Sequence, residues 1–414
     1  MLRHMKLRSR LTSALAILLA TVSLASTPAC GLHSEAPPAA SAPAKASPAY
    51  ADAARPKIEA SLAETLAPGA VVWVHAPRLG DWAEAFGART YRGDDKLTVD
   101  DHVRIGSNTK TMTGTVVLQL VEEGKLRLDD PVSKYRPDVK DDAITIAHLL
   151  SMRSGLYNYS ESLEVNRALD EDPGRAWQPE ELIAIGLSRP ALFAPGAAYA
   201  YSNTNTVLLG RIVEQITGRP LADEMKARIF DKLDLTRTAL PSISDASIPS
   251  PHPRGYQFGT NVDTIESMAL SPDAQARARA GTLLPHDATT MNPSWGWAAG
   301  AAISTAPELG RYARALATGE LLGSAMHEQR LASVTPNEPS NPETALYGLG
   351  IGKLGPMFGH TGELPGFNTF MGHDPVQDVT LIVWTPLDAA PDGKPPAIEI
   401  AKIVLGELYA GGAR

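Results

Sequence analysis

The sequence predicts an α+β fold (α/β in the broad sense), in which strands from both ends of the chain share one sheet and a helical segment is inserted between them. Strand-like runs lie in residues 53–125 and again in residues 291–412, whereas residues 126–290 show helical spacing and loops. The length of 414 residues, with 43% hydrophobic and 20% charged residues, is ordinary for a globular protein with one large domain or two. We therefore expect one domain over residues 53–412, built from two sheet parts and a helical part.

Each predicted element follows from local spacing. Ile58, Leu62 and Leu66 recur at helical intervals. The apolar run 71–74 is typical of a buried strand, and Gly124 ends a long helix. In the first sheet part we predict helices over residues 53–66 and 107–123 and strands over 71–74 and 81–91. In the helical part we predict helices over 144–152, 179–187, 203–217 and 220–233. In the second sheet part we predict helices over 306–318 and 395–409 and strands over 346–353, 366–373 and 378–384.

Residues 1–30 have the features of an export signal. A basic start precedes an uncharged apolar run over residues 11–25, which has about the length of a signal-peptide core and is short for a membrane span. Cys30 is the only cysteine, so no intramolecular disulfide can form, and its position predicts a lipoprotein attachment site. Because the residues before it fit a lipobox poorly, cleavage near Ala29 with release is the alternative. We expect an exported protein of the cell envelope or extracellular space, tied to a membrane only through such an anchor and a flexible linker over residues 31–52.

Composition and missing motifs exclude several classes of function. The net charge of −8 is spread along the chain without a basic cluster, which argues against nucleic-acid binding. The sequence has no His-Glu-x-x-His or cysteine cluster typical of zinc sites and no Gly-x-Ser-x-Gly typical of α/β-hydrolases. Residues 350–355 match Gly-x-Gly-x-x-Gly, but Pro356 follows instead of a helix, so a dinucleotide site is excluded. We expect no metal and no other cofactor.

Ser107-Asn108-Thr109-Lys110 is a Ser-x-x-Lys motif at a predicted strand-to-helix turn. A serine hydroxyl needs a base within hydrogen-bond reach, and a residue three positions later lies on the same helical face. Free N–H groups at a helix start favour developing negative charge. The motif therefore predicts Ser107 as a nucleophile and Lys110 as its base. The alternative is an N-capping serine beside a solvated lysine.

Tyr201-Ser202-Asn203 is a Tyr-x-Asn motif. In an extended segment, side chains two residues apart point to the same side. The phenol of Tyr201 can pass a proton to a leaving group, and the amide of Asn203 can hold a substrate carbonyl. The alternative is a packed tyrosine followed by a helix-capping asparagine.

His360-Thr361-Gly362 adjoins a strand-like run. A glycine lets a substrate backbone approach closely, and a strand edge can pair with an extended peptide or amide. The N–H of Glu363 can complete an oxyanion hole with the N–H of Ser107. We also expect His360 to make the charge of the cleft pH-dependent near neutrality. The alternative is a plain turn between two strands.

Taken in this order, the three motifs resemble those of the serine β-lactamase and D-alanyl-D-alanine carboxypeptidase family. The Tyr-x-Asn and His-Thr-Gly versions are similar to the class C β-lactamase branch and to its Streptomyces-type D,D-carboxypeptidases. The similarity spans about residues 53–410. It includes the stretches at residues 123–132, 149–156, 194–196, 299–300 with Ser304, and 347–350.

The resemblance implies both a fold and a set of roles. The implied fold is an antiparallel sheet flanked by the N- and C-terminal helices, with an inserted all-helical domain. The implied roles are Ser107 as nucleophile, Lys110 with Tyr201 as the base system, and Asn203 and Thr361 as substrate-binding residues.

Two positions depart from the family pattern. Where the carboxypeptidase has an arginine for the C-terminal carboxylate of its peptide, this chain has Gly352 followed by Lys353. After His-Thr-Gly, Glu363 replaces a small hydroxyl residue. A carboxylate at this position repels a substrate carboxylate, so an uncharged ester or amide is expected to fit better.

The function implied by the resemblance is that of a serine hydrolase that forms an acyl-enzyme and acts on D-Ala-D-Ala-type peptides or β-lactams. A carboxylesterase of the same family and a non-hydrolysing penicillin-binding module are the alternatives. The expected partner is a small-molecule or peptide substrate, such as a peptidoglycan stem peptide, a β-lactam or an ester.

Overall fold

The computed structural model describes residues 47–337 and 346–410. The predicted export signal, Cys30 and most of the predicted linker lie outside the described residues. None of the described helices combines the length and apolar character that crossing a bilayer requires.

The described part of the chain contains α-helices and β-strands at the following positions. The helices are α1 (Ala49–Thr65), α2 (Thr109–Glu122), α3 (Ile146–Leu150), α4 (Leu163–Glu171), α5 (Pro179–Leu187), α6 (Asn203–Thr217), α7 (Leu221–Met225), α8 (Pro272–Arg279), α9 (Trp297–Gly300), α10 (Ala306–Thr318), α11 (Ser324–Ala332) and α12 (Pro396–Tyr409). The strands are β1 (Gly69–His75), β2 (Trp82–Gly87), β3 (Val103–Arg104), β4 (Tyr256–Gln257), β5 (His286–Asp287), β6 (Ile303–Ser304), β7 (Thr335–Pro336), β8 (Leu346–Tyr347), β9 (Gly352–Leu354), β10 (Met357–Leu364), β11 (Phe367–Asp374) and β12 (Val379–Thr385).

The main sheet joins the two ends of the chain. Its order is β2-β1-β12-β11-β10-β9-β8-β7, and every neighbouring pair is antiparallel. Strands β1 and β2 from the N-terminal part therefore lie in one sheet with β7 to β12 from the C-terminal part. The fold class predicted from the sequence is confirmed.

Side-chain alternation along the strands separates two cores. Val72 and Leu381 point to one face of the sheet, where they pack with Ile58 of α1 and Ile400 of α12. Ile382 points to the other face, which is covered by α2, α10 and the helical part. Because both faces are covered, every residue of β11 and β12 is buried. The sheet is thus a fixed platform, and its strand β10 adjoins the helical part.

Several boundaries differ from those predicted, each for a local physical reason. The predicted helix over 220–233 is α-helical only in α7 and continues as a π-helical turn over Lys226–Phe230. The predicted strand over 346–353 divides into β8 and β9, because Gly350 between them adopts a φ of 62°. The helical part also contains the short pair β4–β5, which the sequence pattern did not indicate.

Candidate active site

Ser107 lies in a 3-10 turn, Gly106–Asn108, that leads directly into α2. The buried side chain of Asn108 holds this turn in place. Its amide donates hydrogen bonds to the carbonyl of Ile105 at 2.7 Å and to the hydroxyl of Thr369 in β11 at 2.6 Å. The backbone of Ser107 is therefore fixed to the sheet, while its side chain stays partly exposed.

Gly106 brings this turn against β10. It adopts a φ of 54°, and a Cβ placed on it would lie 2.5 Å from the backbone nitrogen of Glu363. Gly362 in β10 lies equally close to the nucleophile turn, because a Cβ on Gly362 would lie 2.0 Å from the carbonyl oxygen of Ile105. Both positions thus require glycine, and the nucleophile turn and the strand touch through their backbones.

Lys110 stands behind Ser107 in the first turn of α2. Its ammonium nitrogen lies 2.9 Å from Ser107 Oγ and 2.8 Å from the carbonyl oxygen of Ala299, and only 2% of the residue is exposed. Burial lowers the pKa of Lys110 well below its ordinary value, and the described residues provide no carboxylate partner for it. A lysine in this environment can be neutral and accept the proton of Ser107.

Tyr201 closes the site from the helical part, one residue before the N-cap of α6. The Lys110 ammonium lies 4.7 Å from the centre of its ring. Burial raises the pKa of Tyr201, while a side-chain hydrogen bond with Ser107 acts in the opposite direction with a smaller effect. The phenol therefore keeps its proton near neutrality and is suited to donate it rather than to act as a phenolate base.

Asn203 is the first residue of α6. Its amide donates a hydrogen bond to Ser160 Oγ at 2.9 Å, and its backbone N–H donates to Asn158 Oδ1 at 3.0 Å. Asn203 remains partly exposed, and its side-chain carbonyl accepts no hydrogen bond from the described residues. One side-chain N–H thus fixes Asn203, and its side-chain carbonyl and second N–H can bind a ligand.

His360 belongs to an aromatic cluster rather than to a titrating cleft surface. Its Nδ1 contacts the carbonyl of Thr361, so Nδ1 is the donor, and its Nε2 lies 3.1 Å from Tyr347 Oη and accepts the hydroxyl hydrogen. Burial, followed by the charge of Lys110, lowers the pKa of His360 to about 3. The expectation that His360 makes the cleft charge pH-dependent near neutrality was therefore wrong, because the imidazole is neutral across that range.

The His-Thr-Gly motif lies inside β10, so the alternative of a plain turn is wrong. β10 pairs with β11 through Leu364↔Phe367, and two residues close this hairpin, which makes that pair hydrogen-bonded. The next pair, Glu363↔Asn368, is then non-hydrogen-bonded, and the N–H of Glu363 points away from β11. Since β9 pairs only with Met357–Gly359, the edge beyond it is open toward the nucleophile turn.

This open edge supplies what an acyl-transfer site needs. The N–H of Glu363 points toward the turn that carries Ser107, and the two N–H groups can converge on one carbonyl oxygen. Thr361 lies two residues earlier, so its polar backbone groups face the same edge. A substrate carbonyl held there would lie beside Ser107 Oγ.

Glu363 is exposed to solvent at the open edge of β10, while the surrounding protein removes part of the hydration of its carboxyl. This desolvation raises the pKa of Glu363 to about 7. Lys353, which follows the other departing position, Gly352, places its ammonium 4.7 Å from the centre of the Phe358 ring. The structure thus has a carboxylate directly at the edge and holds the lysine over an aromatic ring.

A cavity of about 380 Å³ extends from Tyr201 and Thr361 toward α12. Its lining is mostly apolar, with Leu346, Leu354, Met357, Phe370 and Ile398 among its residues. A cavity of this size and character can hold the apolar group of a small substrate.

Sequence reasoning missed several residues of this site. Tyr347 donates to His360, and its ring packs edge-on against Tyr201. Ala299 supplies the carbonyl that orients Lys110. Asp388, buried close to Glu363, follows it by 25 positions without any local motif. Tyr347 and Ala299 had a sequence signal, since both lie in stretches that carry the family resemblance, whereas Asp388 had none.

No group of three or more His, Cys, Asp or Glu side chains within residues 47–337 and 346–410 is arranged to hold a metal ion. The chemistry described below uses only side chains and backbone groups of this chain.

Comparison with known proteins gives the same family that the motifs indicate. Penicillin-binding protein 4* of Bacillus subtilis is 26% identical over 69% of this chain, and teichoic acid D-alanine hydrolase of Staphylococcus aureus is 28% identical over 44% of it. The chain spans 61% and 43% of the length of these two relatives. A D-stereospecific amidohydrolase from Streptomyces sp. superimposes with a TM-score of 0.73 at 30% identity, covering 87% of this chain and 99% of that one. The Beta-lactamase family model matches residues 54–405, and the chain belongs to the beta-lactamase family.

Proposed function

We propose that the protein is an exported serine hydrolase that forms an acyl-enzyme on Ser107 and hydrolyses the amide or ester of a D-amino acid. The observation that carries this proposal is the position of Lys110, which is buried, lacks a carboxylate partner and lies 2.9 Å from Ser107 Oγ. A desolvated amine within hydrogen-bond distance of a partly exposed hydroxyl is the arrangement that activates a serine nucleophile.

The chemistry follows from this geometry. The neutral amine of Lys110 takes the hydroxyl proton as Ser107 Oγ forms a bond to the substrate carbonyl carbon. The carbonyl oxygen becomes negatively charged and accepts hydrogen bonds from the N–H groups of Ser107 and Glu363. A proton from Tyr201 or Lys110 reaches the leaving nitrogen or oxygen as that bond breaks. Water then attacks the ester carbon, and Lys110 or Tyr201 accepts its proton. That proton passes to Ser107 Oγ as the acyl–Oγ bond breaks and the carboxylic acid leaves.

The substrate class rests on charge and on the relatives. Glu363 at the open edge disfavours a substrate carboxylate, which weighs against an ordinary D-Ala-D-Ala peptide or a penicillin. Two of the similar proteins are named for action on D-amino acid derivatives, one as a hydrolase of teichoic acid D-alanine and one as a D-stereospecific amidohydrolase. An amide or ester of a D-amino acid has no carboxylate to be repelled by Glu363, and it is the kind of compound for which these two relatives are named.

A D-Ala-D-Ala peptide or a β-lactam is the second candidate. Lys353 and Lys402 both line the cavity beside Thr361. Lys402 is paired with Glu399 at 2.8 Å, so the ammonium of Lys353 is the one that favours a carboxylate on the leaving part of the substrate. The similarity to a penicillin-binding protein supports the same alternative.

Labelling and turnover test this proposal together. We expect a fluorophosphonate to label the wild-type protein and Ser324→Ala, a control at an exposed serine that begins α11, but not Ser107→Ala. Labelling of Ser107→Ala would show that another residue is the nucleophile. Turnover of D-phenylalanine p-nitroanilide faster than its L-enantiomer, nitrocefin or a D-Ala-D-Ala peptide is the expected order. Stable labelling without turnover of any substrate would make the protein a binding module.

Export is supported by the basic start and apolar run of residues 1–30. Mass spectrometry of the mature protein distinguishes a lipid-modified N-terminal Cys30 from cleavage near Ala29. An intact Met1 in protein recovered from the cell envelope or medium would contradict a cleaved signal.

A further inference from the structure

The carboxylate of Glu363 has no cationic partner within the described residues, although the residue lies on the open edge of β10 against the nucleophile turn. The neighbouring cation of the site, Lys110, is directed to Ser107 and to the carbonyl of Ala299. The groups that sense the charge of Glu363 are Tyr201 and Asp388, and both are acids whose pKa values it helps to raise. An unpaired carboxylate in partly desolvated surroundings is costly, and a cationic ligand group would relieve this cost.

Asp388, the other acid near this edge, is buried, unlike Glu363. The residue is 4% exposed, and burial, followed by the charge of Glu363, raises its pKa well above the ordinary value. Its carboxyl accepts a hydrogen bond from the N–H of Ala389 at 2.7 Å, which fixes it beside the β10–β11 turn. Desolvation therefore disfavours the ionised form of Asp388, and Glu363 is the exposed carboxyl at this edge.

The position of Glu363 in the backbone determines which part of a substrate it can reach. Its own N–H points to the place where the substrate carbonyl oxygen is held, on the open edge of β10. An amino group on the carbon next to that carbonyl lies one atom further along the acyl part. The side chain of the same residue is long enough to meet it, whereas the leaving group departs on the other side of the carbonyl carbon.

We propose that Glu363 binds the free α-ammonium group of the acyl part of the substrate, so that the enzyme accepts unblocked aminoacyl amides or esters and rejects N-acylated ones. This inference rests on the proposed function, since it assumes acyl transfer at Ser107. The inference distinguishes aminoacyl amide or ester hydrolysis from carboxypeptidase activity, both of which this fold can support. A carboxypeptidase substrate has a blocked nitrogen and a free carboxylate, whereas the substrate inferred here has a free nitrogen and no carboxylate.

A matched pair of substrates tests the inference. D-Phenylalanine p-nitroanilide and its N-acetyl derivative are compared at about pH 7, below the ordinary α-amino pKa of about 7.7–8.0. We expect wild-type kcat/KM to favour the free amine by about 10- to 100-fold, the range of a charge-assisted hydrogen bond. Glu363→Gln keeps the shape and the backbone N–H, and it should bring the ratio close to one by lowering kcat/KM for the free amine. The control Glu64→Gln, which removes an exposed carboxylate paired with Lys394 at 2.6 Å, should keep the wild-type ratio.

Charge reversal provides a second, independent measurement. Glu363→Lys should prefer an N-succinyl substrate, whose added carboxylate meets the new ammonium, over the free amine. Equal ratios for wild type and Glu363→Gln, or a wild-type preference for the N-acetyl substrate, would overturn the inference. Fluorophosphonate labelling of the same samples tests the nucleophile separately from the amine preference, because this probe has no ammonium group for Glu363 to bind. Labelling that depends on Ser107 together with no amine preference defeats only the inference, whereas labelling that survives Ser107→Ala defeats the proposed function as well.

Discussion

The two sides of the cleft differ in how they treat charge. On the α2 side, Lys110 is buried and Tyr201 is enclosed by aromatic rings, so burial shifts both groups toward their neutral forms. On the β10 side, Glu363 faces solvent, and its pKa of about 7 leaves it partly ionised at neutral pH. On the proposed function, the base becomes reactive because water is removed around it, whereas the substrate is selected by a charge that water can still reach.

The largest effect should follow from changing the buried side. Lys110→Met removes the base while keeping a long apolar side chain, and we expect the rate of fluorophosphonate labelling to fall by about 10²- to 10⁴-fold. Circular dichroism checks that the variant folds. Lys134→Met, which removes an exposed lysine paired with Asp130 at 2.9 Å, is the matched control and should label at the wild-type rate. A labelling rate of Lys110→Met close to wild type would show that another group accepts the proton.

A smaller effect is expected from the exposed side, and its sign depends on pH. Below about pH 7 the Glu363 carboxyl is protonated and neutral, and above it the carboxylate repels a penicillin, which is ionised throughout. The ratio of penicillin labelling rates, Glu363→Thr over wild type, should therefore rise as pH increases from 6 to 8 and reach about 10-fold. Activity on carboxylate-bearing peptides should rise in the same variant.

Taking the ratio cancels the titration of Lys110, which both proteins share. An uncharged p-nitrophenyl ester is the control substrate, and its ratio should not rise over the same pH range. A penicillin ratio that stays flat or falls would mean that Glu363 does not face the carboxylate of the ligand.

The smallest effect should come from Lys353. Its ammonium lies over the Phe358 ring and makes no ion pair with another described residue, so Lys353→Gln should change kcat/KM for a D-Ala-D-Ala peptide by less than about threefold. A loss of about tenfold or more would show that Lys353 holds the peptide carboxylate. In that case Lys353, rather than Glu363, would determine which substrates the cleft accepts.

The sequence predicted those parts of the molecule that depend on local spacing. Helices such as α5 and α6 lie at the predicted positions, because their apolar periodicity and end signals are local. The Ser-x-x-Lys spacing likewise places Ser107 and Lys110 within hydrogen-bond distance through helix geometry alone.

The remaining features depend on contacts between distant segments. The burial of His360 under Tyr347 and beside Lys110 joins three parts of the chain, so its low pKa had no local signal. The approach of Gly106 to Glu363 and the position of Asp388 beside the turn arise in the same way. The open edge of β10 is a property of the sheet order, because it exists only where the short strand β9 ends.

The open edge of β10 also affects which enantiomer of a substrate can react. A ligand aligned along it has its carbonyl oxygen fixed by two N–H groups and, on the inference above, its amino nitrogen fixed by Glu363. Two of the four substituents of the α-carbon are then fixed, and inverting that carbon exchanges the places of its hydrogen and its side chain. The two enantiomers therefore present their side chains to different parts of the cleft, and the point where the three-residue strand β9 ends would help to decide which of them is hydrolysed.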